Sequence, residues 1–182
     1  MHGRLYNKTA VITGGAQGIG AAIAKAFVNE GARVAIVDIN AQVAAETAEK
    51  LRSEGANAIG LAADVSDEAA VQAAMEQSVA AFGTIDILVN NAGIDTTSLV
   101  KDMPVQLWDQ MMAVNLRGVF LPTRAVLPGM IKQKFGRIIN IASQLAHKGA
   151  PLMAHYCASK AGVIGFTKSL AYEVARDGIT VN

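Results

Sequence analysis

The sequence has few of the features that mark disulfide-bonded, secreted or membrane-spanning proteins. It has one cysteine in 182 residues, so no disulfide can form within the chain. Its start, MHGRLYNKTAV, lacks the apolar core of a signal peptide, and no uninterrupted apolar run is long enough to cross a bilayer. Because reducing compartments keep thiols free, we expect a soluble cytoplasmic protein.

Charge of neither sign is in excess. The chain carries 16 basic and 15 acidic residues, which leaves a formal net charge of +1. This balance provides no basic surface for nucleic acid or for an anionic membrane, and no cluster of His, Cys and carboxylates predicts a metal site. Apolar residues make up 52% of the chain, too many for a disordered protein. The length fits one domain over residues 1–182.

Short β-branched runs alternate with helical windows along the whole chain. The predicted strands cover residues 9–13, 33–38, 57–64, 85–90, 136–142 and 178–182. The predicted helices cover residues 18–30, 41–54, 67–82, 104–133 and 154–176. Ser66 is the expected N-cap of the third helix, and Pro122, Pro128 and Gly129 favour two helices within 104–133. Repeated β-α units predict an α/β fold with a doubly wound parallel sheet of six strands, the Rossmann fold.

A glycine-rich stretch, TGGAQGIG, follows the first predicted strand and leads into a helix. Gly14, Gly18 and Gly20 allow unusual backbone angles and a close approach of the main chain to a ligand. The N-terminus of the helix presents free N–H groups to phosphate. A glycine-rich turn without a ligand is the alternative, but the strand before and the helix after favour phosphate binding.

An acidic residue, Asp38, ends the second predicted strand. At about twenty positions beyond the glycine loop, its carboxylate can accept hydrogen bonds from both hydroxyls of an adenosine ribose. It would also repel a 2′-phosphate. A turn aspartate at a strand end is the alternative. The position favours the ribose role and therefore NAD.

The stretch AHYCASKAG places Tyr156 and Lys160 four residues apart on one face of a predicted helix. An ammonium group near a phenol stabilises the phenolate, and such a tyrosine can exchange a proton with an alcohol or a ketone. His155 is adjacent to Tyr156 and does not face it, so we leave it out of this pair. The spacing alone recurs by chance on many helices, so its meaning depends on other residues.

Two further polar residues support a reacting centre. Ser143 follows the fifth predicted strand, where its hydroxyl can polarise a substrate carbonyl; a serine of a strand-end turn is the alternative. Asn115 lies near the middle of the window 104–133, where asparagine is a poor helix former and indicates a functional irregularity. A surface asparagine is the alternative there.

These features resemble the short-chain dehydrogenase/reductase family over nearly the whole chain, and are similar to its 3-oxoacyl-acyl-carrier-protein reductases and sugar or polyol dehydrogenases. The residues that match the family motif T-G-x-x-x-G-x-G are Thr13, Gly14, Gly18 and Gly20. The residues that match its catalytic Asn-Ser-Tyr-Lys set are Asn115, Ser143, Tyr156 and Lys160. In this set the resemblance implies that Asn115 holds a water of a proton relay beyond Lys160.

The resemblance also implies a set of nucleotide contacts. The residues implied are Gly14, Gln17, Gly18, Ile19, Gly20, Asp38, Asp64, Val65, Asn91, Ala92, Gly93, Tyr156 and Lys160. Asp64 would contact the adenine amino group and Val65 the ring. Family members that prefer NADP often carry a basic residue where this chain has Gln17, so NAD is the expected cofactor and NADP the alternative.

The function implied is hydride transfer between NAD(H) and a secondary alcohol or ketone, with Tyr156 as general acid and base. Two alternatives stay open: an NADPH-dependent 3-oxoacyl-acyl-carrier-protein reductase, and a nucleotide-binding or assembly module without turnover. The resemblance implies a homo-oligomer, either a dimer or a tetramer. Relative to the family, the domain over 1–182 is expected to lack a C-terminal strand and a substrate loop.

Overall fold

The computed structural model describes residues 3–182, which form a six-stranded sheet in the order β3-β2-β1-β4-β5-β6. Every neighbouring pair of strands is parallel. The strands are β1 (Thr9–Thr13), β2 (Arg33–Asp38), β3 (Ala58–Ala62), β4 (Ile87–Asn90), β5 (Gly136–Asn140) and β6 (Ile179–Val181). The prediction of a doubly wound parallel sheet is confirmed.

Helices connect the successive strands of the parallel sheet. The α-helices are α1 (Gly18–Asn29), α2 (Ala41–Ser53), α3 (Glu68–Phe82), α4 (Val105–Met112), α5 (Gly118–Gln133), α6 (Leu145–Lys148) and α7 (Ala154–Glu173). Two 3₁₀ turns cover Val100–Asp102 and Ala175–Asp177, and a π turn covers Ala113–Arg117. Within residues 3–182, no helix is long and apolar enough to cross a membrane.

The central strand β1 is buried on both sides because helices cover both faces of the sheet. Its residues alternate between two hydrophobic clusters: Val11 belongs to one, and Ala10 and Ile12 belong to the other. The Val11 cluster includes side chains of α3, α5 and α7. The Ile12 cluster includes side chains of α1 and α2. The chain therefore winds outward from β1 in both directions, and the order reverses between β1 and β4.

The start of α3 corrects one prediction. The N-cap is Asp67, whose carboxylate accepts from the amides of Ala69 (2.8 Å) and Ala70 (3.0 Å). Ser66 lies one residue too early to reach these amides, and its hydroxyl donates to the carboxylate of Asp64 at 2.7 Å. Asp67 was expected within the first turn, yet its extended backbone makes it the residue before the helix.

The predicted break in the window 104–133 is present, but it lies at other residues. The two α-helices are joined by the π turn at Ala113–Arg117, whereas Pro122 and Pro128 both lie inside α5. A proline removes one helical hydrogen bond and bends a helix without necessarily ending it. The irregularity predicted at Asn115 is therefore the actual junction.

Candidate active site

The glycine loop after β1 is built so closely that three of its glycines, Gly14, Gly15 and Gly20, have no room for a side chain. A Cβ added at Gly14, where φ is +60°, would lie 2.8 Å from the Cα of Ala92. A Cβ at Gly20 would lie 2.1 Å from the carbonyl oxygen of Gly14. Gly18 differs, because a Cβ there would meet no atom within 4 Å. The loop therefore packs tightly against the segment after β4, whereas the space beside Gly18, the first residue of α1, is free of protein atoms.

Hydrogen bonds join the loop after β1 to the loop after β4. The Thr13 hydroxyl accepts from the amides of Asn91 (3.1 Å) and Ala92 (3.2 Å). The Asn91 side-chain amide donates to the carbonyls of Thr13 (3.1 Å) and Gly14 (2.9 Å). These loops leave the carboxyl ends of adjacent parallel strands. The hydrogen bonds therefore fix the two loops against each other at the point where the strand order reverses, which is where ligands bind in such sheets.

Asp38 lies at the end of β2 and holds the turn that follows. Its carboxylate accepts from the amides of Ala16 (3.2 Å) and Asn40 (3.1 Å), one bond on each oxygen. Asp38 therefore does stabilise the turn at the end of the strand, as the alternative interpretation predicts. A carboxylate has about four acceptor positions, so the two bonds leave capacity for a ligand.

The loop after β3 brings an acidic and an apolar side chain to the same edge of the sheet. One carboxylate oxygen of Asp64 accepts from the amide (2.8 Å) and the hydroxyl (2.7 Å) of Ser66. Val65 is buried, and a Cβ added at Gly118 would lie 2.6 Å from its side chain. The missing side chain at the start of α5 therefore leaves room for Val65.

These loops enclose a cleft of about 480 Å³, here called the carboxyl-end cleft, which is within the range of ligand sites. Its lining includes nine of the thirteen residues predicted to contact a nucleotide: Gly14, Gln17, Ile19, Asp38, Asp64, Val65, Asn91, Ala92 and Gly93. Of the other four, Gly18 and Gly20 belong to α1 beside the cleft, whereas Tyr156 and Lys160 belong to α7.

Lys160 places a buried ammonium group near Tyr156. The side chain is almost fully buried, and its Nζ donates to the carbonyl of Ile141 at 2.7 Å. Nζ lies 5.9 Å from the centre of the Tyr156 ring. Burial lowers the pKa of Lys160 from its ordinary value, because desolvation disfavours the charged form. In the described part of the chain no carboxylate forms an ion pair with it.

Gly93 is the point where the carboxyl-end cleft meets this amine. It lines the cleft, and a Cβ added to it would lie 3.7 Å from Nζ of Lys160 and 3.2 Å from Oδ1 of Asn115. The Lys160 ammonium is therefore next to the cleft without lining it. The structure thus brings the two ends of the predicted site together, although they are far apart in sequence.

Asn115 is fully buried in the π turn, so the alternative of a surface asparagine is wrong. Its Oδ1 accepts from the amide of Ile94 at 2.8 Å, and its Nδ2 donates to the carbonyl of Ile94 at 2.9 Å. Nδ2 also lies 2.9 Å from Sδ of Met111 and 3.3 Å from Oγ of Ser159. The side chain is therefore committed to holding the segment after β4.

Ser143 follows β5 and starts a short helical turn. Its Oγ accepts from the amide of Leu145 at 3.1 Å, so the strand-end turn predicted as the alternative is present. A hydroxyl that accepts one bond keeps its own hydrogen free to donate. Ser143 can therefore serve the turn and a substrate oxygen together.

Several residues of this region were not predicted from the sequence. Thr13 matches the family motif, but the sequence did not predict that its hydroxyl binds the loop after β4. These hydrogen bonds depend on the pairing of β1 with β4. Ser159 donates to the carbonyl of Tyr156 at 2.8 Å and lies beside Asn115. Gln110 and Val114 line the carboxyl-end cleft from α4 and the π turn. No local pattern signals these contacts, because they depend on how the helices pack.

The doubly wound sheet and the glycine loop at its point of reversal define a Rossmann-type α/β protein. The model of the short chain dehydrogenase family matches residues 8–182. The chain belongs to this family of oxidoreductases, which use NAD(P) cofactors.

Curated relatives agree with this assignment. The chain is 45% identical over 179 residues to a D-threitol dehydrogenase of Mycolicibacterium smegmatis, and the match covers 98% of this chain and 69% of the relative. It is 42% identical over 176 residues to a 3-oxoacyl-[acyl-carrier-protein] reductase of Staphylococcus aureus, covering 96% of this chain and 72% of the relative. The chain thus spans about 70% of the length of these relatives.

Proposed function

We propose that the chain is a single NAD(P)-binding domain over residues 1–182 of a cytoplasmic oxidoreductase that exchanges a hydride between NAD(H) and a secondary alcohol or ketone. One observation carries this proposal: the carboxyl-end cleft and the buried ammonium of Lys160 meet at Gly93. A dinucleotide extends from a phosphate loop to a reacting ring, so a binding cleft and a proton-handling pair must adjoin.

The cleft fits the phosphate and adenosine portions of a dinucleotide. Gly14 and Gly20 have no room for a Cβ against protein atoms, whereas Gly18 faces open space at the first residue of α1. The main chain can therefore approach a diphosphate closely, and the N–H groups of the first helical turn can donate to it. When bound, the cofactor would supply the hydride acceptor or donor.

Charge in the cleft favours NAD over NADP. Asp38 lines it and retains acceptor capacity for ribose hydroxyls. Among the described residues, no lysine or arginine is part of its lining. A 2′-phosphate would therefore approach a carboxylate and find no cation there to balance its charge.

The polar residues beyond Gly93 support proton exchange with a carbonyl or alcohol oxygen. Tyr156 would take or give the proton, and the Lys160 ammonium would favour the phenolate and hold ribose hydroxyls. The Ser143 hydroxyl would donate to the substrate oxygen. Asn115, whose side chain is bound to Ile94, would hold a water of the proton relay beyond Lys160.

The names of the relatives support two substrate classes. A D-threitol dehydrogenase favours a polyol, while the reductases of Staphylococcus aureus favour a 3-oxoacyl thioester. We infer the first class, because the described residues that line the cleft include no lysine or arginine. Reduction of a 3-oxoacyl substrate with NADPH would place a 2′-phosphate beside Asp38 without a cation to balance it. A strong preference for NADPH would favour the second class.

A panel of secondary alcohols and polyols tests the proposal. The reduced nicotinamide formed from NAD⁺ is followed by its absorbance, and the same panel is repeated with NADP⁺. Binding of either nucleotide without turnover of any substrate would favour the module without enzymatic activity.

Tyr156→Phe is the matched variant. It should bind NADH as tightly as the original protein, because the hydroxyl is lost and the ring is kept. Turnover should fall by about 10²–10⁴-fold, the usual contribution of a general acid or base. Normal turnover in this variant would remove Tyr156 from the mechanism.

We also infer that a second copy of the chain covers an apolar surface on α4, α5 and α7. Phe120 is 43% exposed and meets Phe166 edge to face, with ring centres 6.4 Å apart. The pair lines two open clefts, in which apolar side chains such as Leu116 and Leu127 lie among charged ones such as Arg117. An exposed apolar patch of this kind is typical of a subunit interface.

A further inference from the structure

A buried histidine lies next to Tyr156 and has no part in the proposed reaction. His155 is the second residue of α7, and none of its surface is exposed. Its Nε2 lies 2.8 Å from Oγ1 of Thr96, within hydrogen-bonding distance. In the part of the chain that the structure describes, its Nδ1 has no partner. Among the described residues, the imidazole ring of His155 is therefore hydrogen-bonded through Nε2 to Thr96 alone.

Packing alone does not account for this residue. Burying a polar ring costs free energy unless its nitrogens are hydrogen-bonded. A leucine would fill much of the same volume without that cost. The histidine is therefore best explained by what it holds, which is Thr96 in the segment after β4.

The segment 94–98 is attached at every second residue. Ile94 is bound through its main chain to Asn115, Thr96 to His155, and the amide of Ser98 donates to the carbonyl of Leu152 at 2.9 Å. The side chains between them, Asp95 and Thr97, are exposed. The segment is therefore anchored at residues 94, 96 and 98, whereas Asp95 and Thr97 between them face solvent.

The two ends of the segment lie at the two halves of the proposed site. Ile94 lines the carboxyl-end cleft beside Gly93. Ser98 is bound to the loop that immediately precedes α7, the helix that carries Tyr156. The Thr96–His155 contact ties the middle of the segment to the first turn of that helix. The segment therefore spans the distance from the cleft to the tyrosine.

We propose that His155 is a positioning residue that acts through Thr96 and fixes segment 94–98 as a wall of the substrate site beside Tyr156. This inference rests on the proposed function. Its distinguishing consequence is a change in substrate binding, while nucleotide binding and the proton chemistry of Tyr156 are unaffected.

The kinetic test uses His155→Leu and Thr96→Val. Each variant removes the hydrogen bond and keeps most of the side-chain volume. For the best alcohol substrate, each should raise KM about tenfold and change kcat by less than about twofold, because the lost contact affects the bound substrate before and during reaction alike. The Kd for NADH should be unchanged. Combining both changes should be no worse than either alone, since both remove the same bond.

Conservative variants and a control separate positioning from general damage. His155→Gln and Thr96→Ser keep a group able to form the bond and should recover most of the original KM. Ser78→Ala removes a buried hydroxyl in α3 that donates to the carbonyl of Ala74 at 2.8 Å and forms no bond to this segment. It should leave KM unchanged. If His155→Leu does not fold, the Thr96→Val and Thr96→Ser pair carries the test.

Amide hydrogen exchange gives a readout that needs no turnover. In His155→Leu and Thr96→Val, exchange should become faster over residues 94–98 and stay unchanged over 14–20. Unchanged exchange over 94–98 overturns the anchoring role, whether or not the protein is an enzyme. Faster exchange with an unchanged KM, or additive effects in the double variant, overturns the role at the substrate site. If the original protein turns over no alcohol, the proposed function fails while exchange still decides the anchoring role.

Discussion

At the residue scale, the proposed site contains a buried basic side chain, Lys160. Burial lowers its pKa, so the folded state binds this proton less tightly than the unfolded chain. In the pH range between the lowered pKa and the ordinary value of 10.5, the unfolded chain holds more protons. Stability from this residue therefore rises as the pH rises through that range.

Lys160→Met tests this sign, because it removes the titrating group and keeps an unbranched apolar side chain. The melting temperature of the original protein minus that of the variant should increase as the pH is raised from the lowered pKa towards 10.5. Lys168→Met, which removes an exposed lysine of the same helix, should show a constant difference. A difference for Lys160→Met that falls with pH would contradict the prediction.

Asp38 sets the expected nucleotide preference by charge. Asp38→Asn keeps an oxygen that can accept from the Ala16 amide, and it removes the repulsion of a 2′-phosphate. The ratio of the Kd for NADPH to the Kd for NADH should fall about tenfold, which is roughly 1.4 kcal/mol. Nucleotide fluorescence measures both constants.

Asp102→Asn is the matched control, because it neutralises an exposed carboxylate on a 3₁₀ turn outside the cleft. A ratio that is unchanged in Asp38→Asn, or that changes equally in both variants, would remove Asp38 from nucleotide selection.

At the scale of structural elements, the position of α1 depends on the absence of a side chain at Gly20. A Cβ on Gly20 would lie 2.1 Å from the Gly14 carbonyl and 2.7 Å from Nδ2 of Asn91. Gly20→Ala must therefore move the helix away from the glycine loop. We expect a loss of about 1–3 kcal/mol, a melting temperature lower by about 2–10 °C, and NADH binding weakened by at least about tenfold.

Gly165→Ala provides the control for a glycine in a helix. A Cβ at Gly165 in α7 would meet no atom within 4 Å, so this variant should gain stability by roughly 0.5–1 kcal/mol. Calorimetry of both variants decides the point. Equal stability of Gly20→Ala and the original protein would show that α1 does not need the close contact.

Local sequence patterns were sufficient to predict the elements that depend only on neighbouring residues. The strand over 33–38 and the glycine loop follow from β-branched runs and glycine spacing, which act within a few residues. The exact cap of α3 was wrong by one residue, because Ser66 and Asp67 are both good caps and only backbone geometry decides between them. The π turn was foreseen only as an irregularity at Asn115. Its hydrogen bonds to Ile94 require a loop that precedes it by about twenty residues.

At the scale of the whole molecule, the parallel sheet assembles the site from distant segments. The loops after β1, β2, β3 and β4 all leave the same edge, so their polar residues meet in one cleft. The alternation of strands and helices predicts that the loops meet at this edge. It does not predict how α4, α5 and α7 pack near it. That packing places Gln110 and Val114 in the lining of the cleft and anchors the segment 94–98.

The same packing leaves an apolar surface exposed on the outer side of α5 and α7. Phe120 and Phe166 belong to it, and a carboxylate placed at Phe120 would be desolvated if a second copy covers this surface. Phe120→Glu should therefore convert a dimer or tetramer into a smaller species, most completely at micromolar protein concentration. Size-exclusion chromatography with light scattering measures the mass.

The control for this surface is Val79→Glu, which places the same charge on an apolar residue of α3 that is 44% exposed. Because α3 lies outside the Phe120 surface, the variant should keep the mass of the original protein. A single monomeric mass for all three proteins would show that no second copy covers this surface under these conditions. A loss of assembly in both variants would place the interface elsewhere or indicate general misfolding, which circular dichroism of the same samples distinguishes. Loss in Phe120→Glu alone identifies the outer side of α5 as the contact, because the same charge on α3 then leaves the assembly intact.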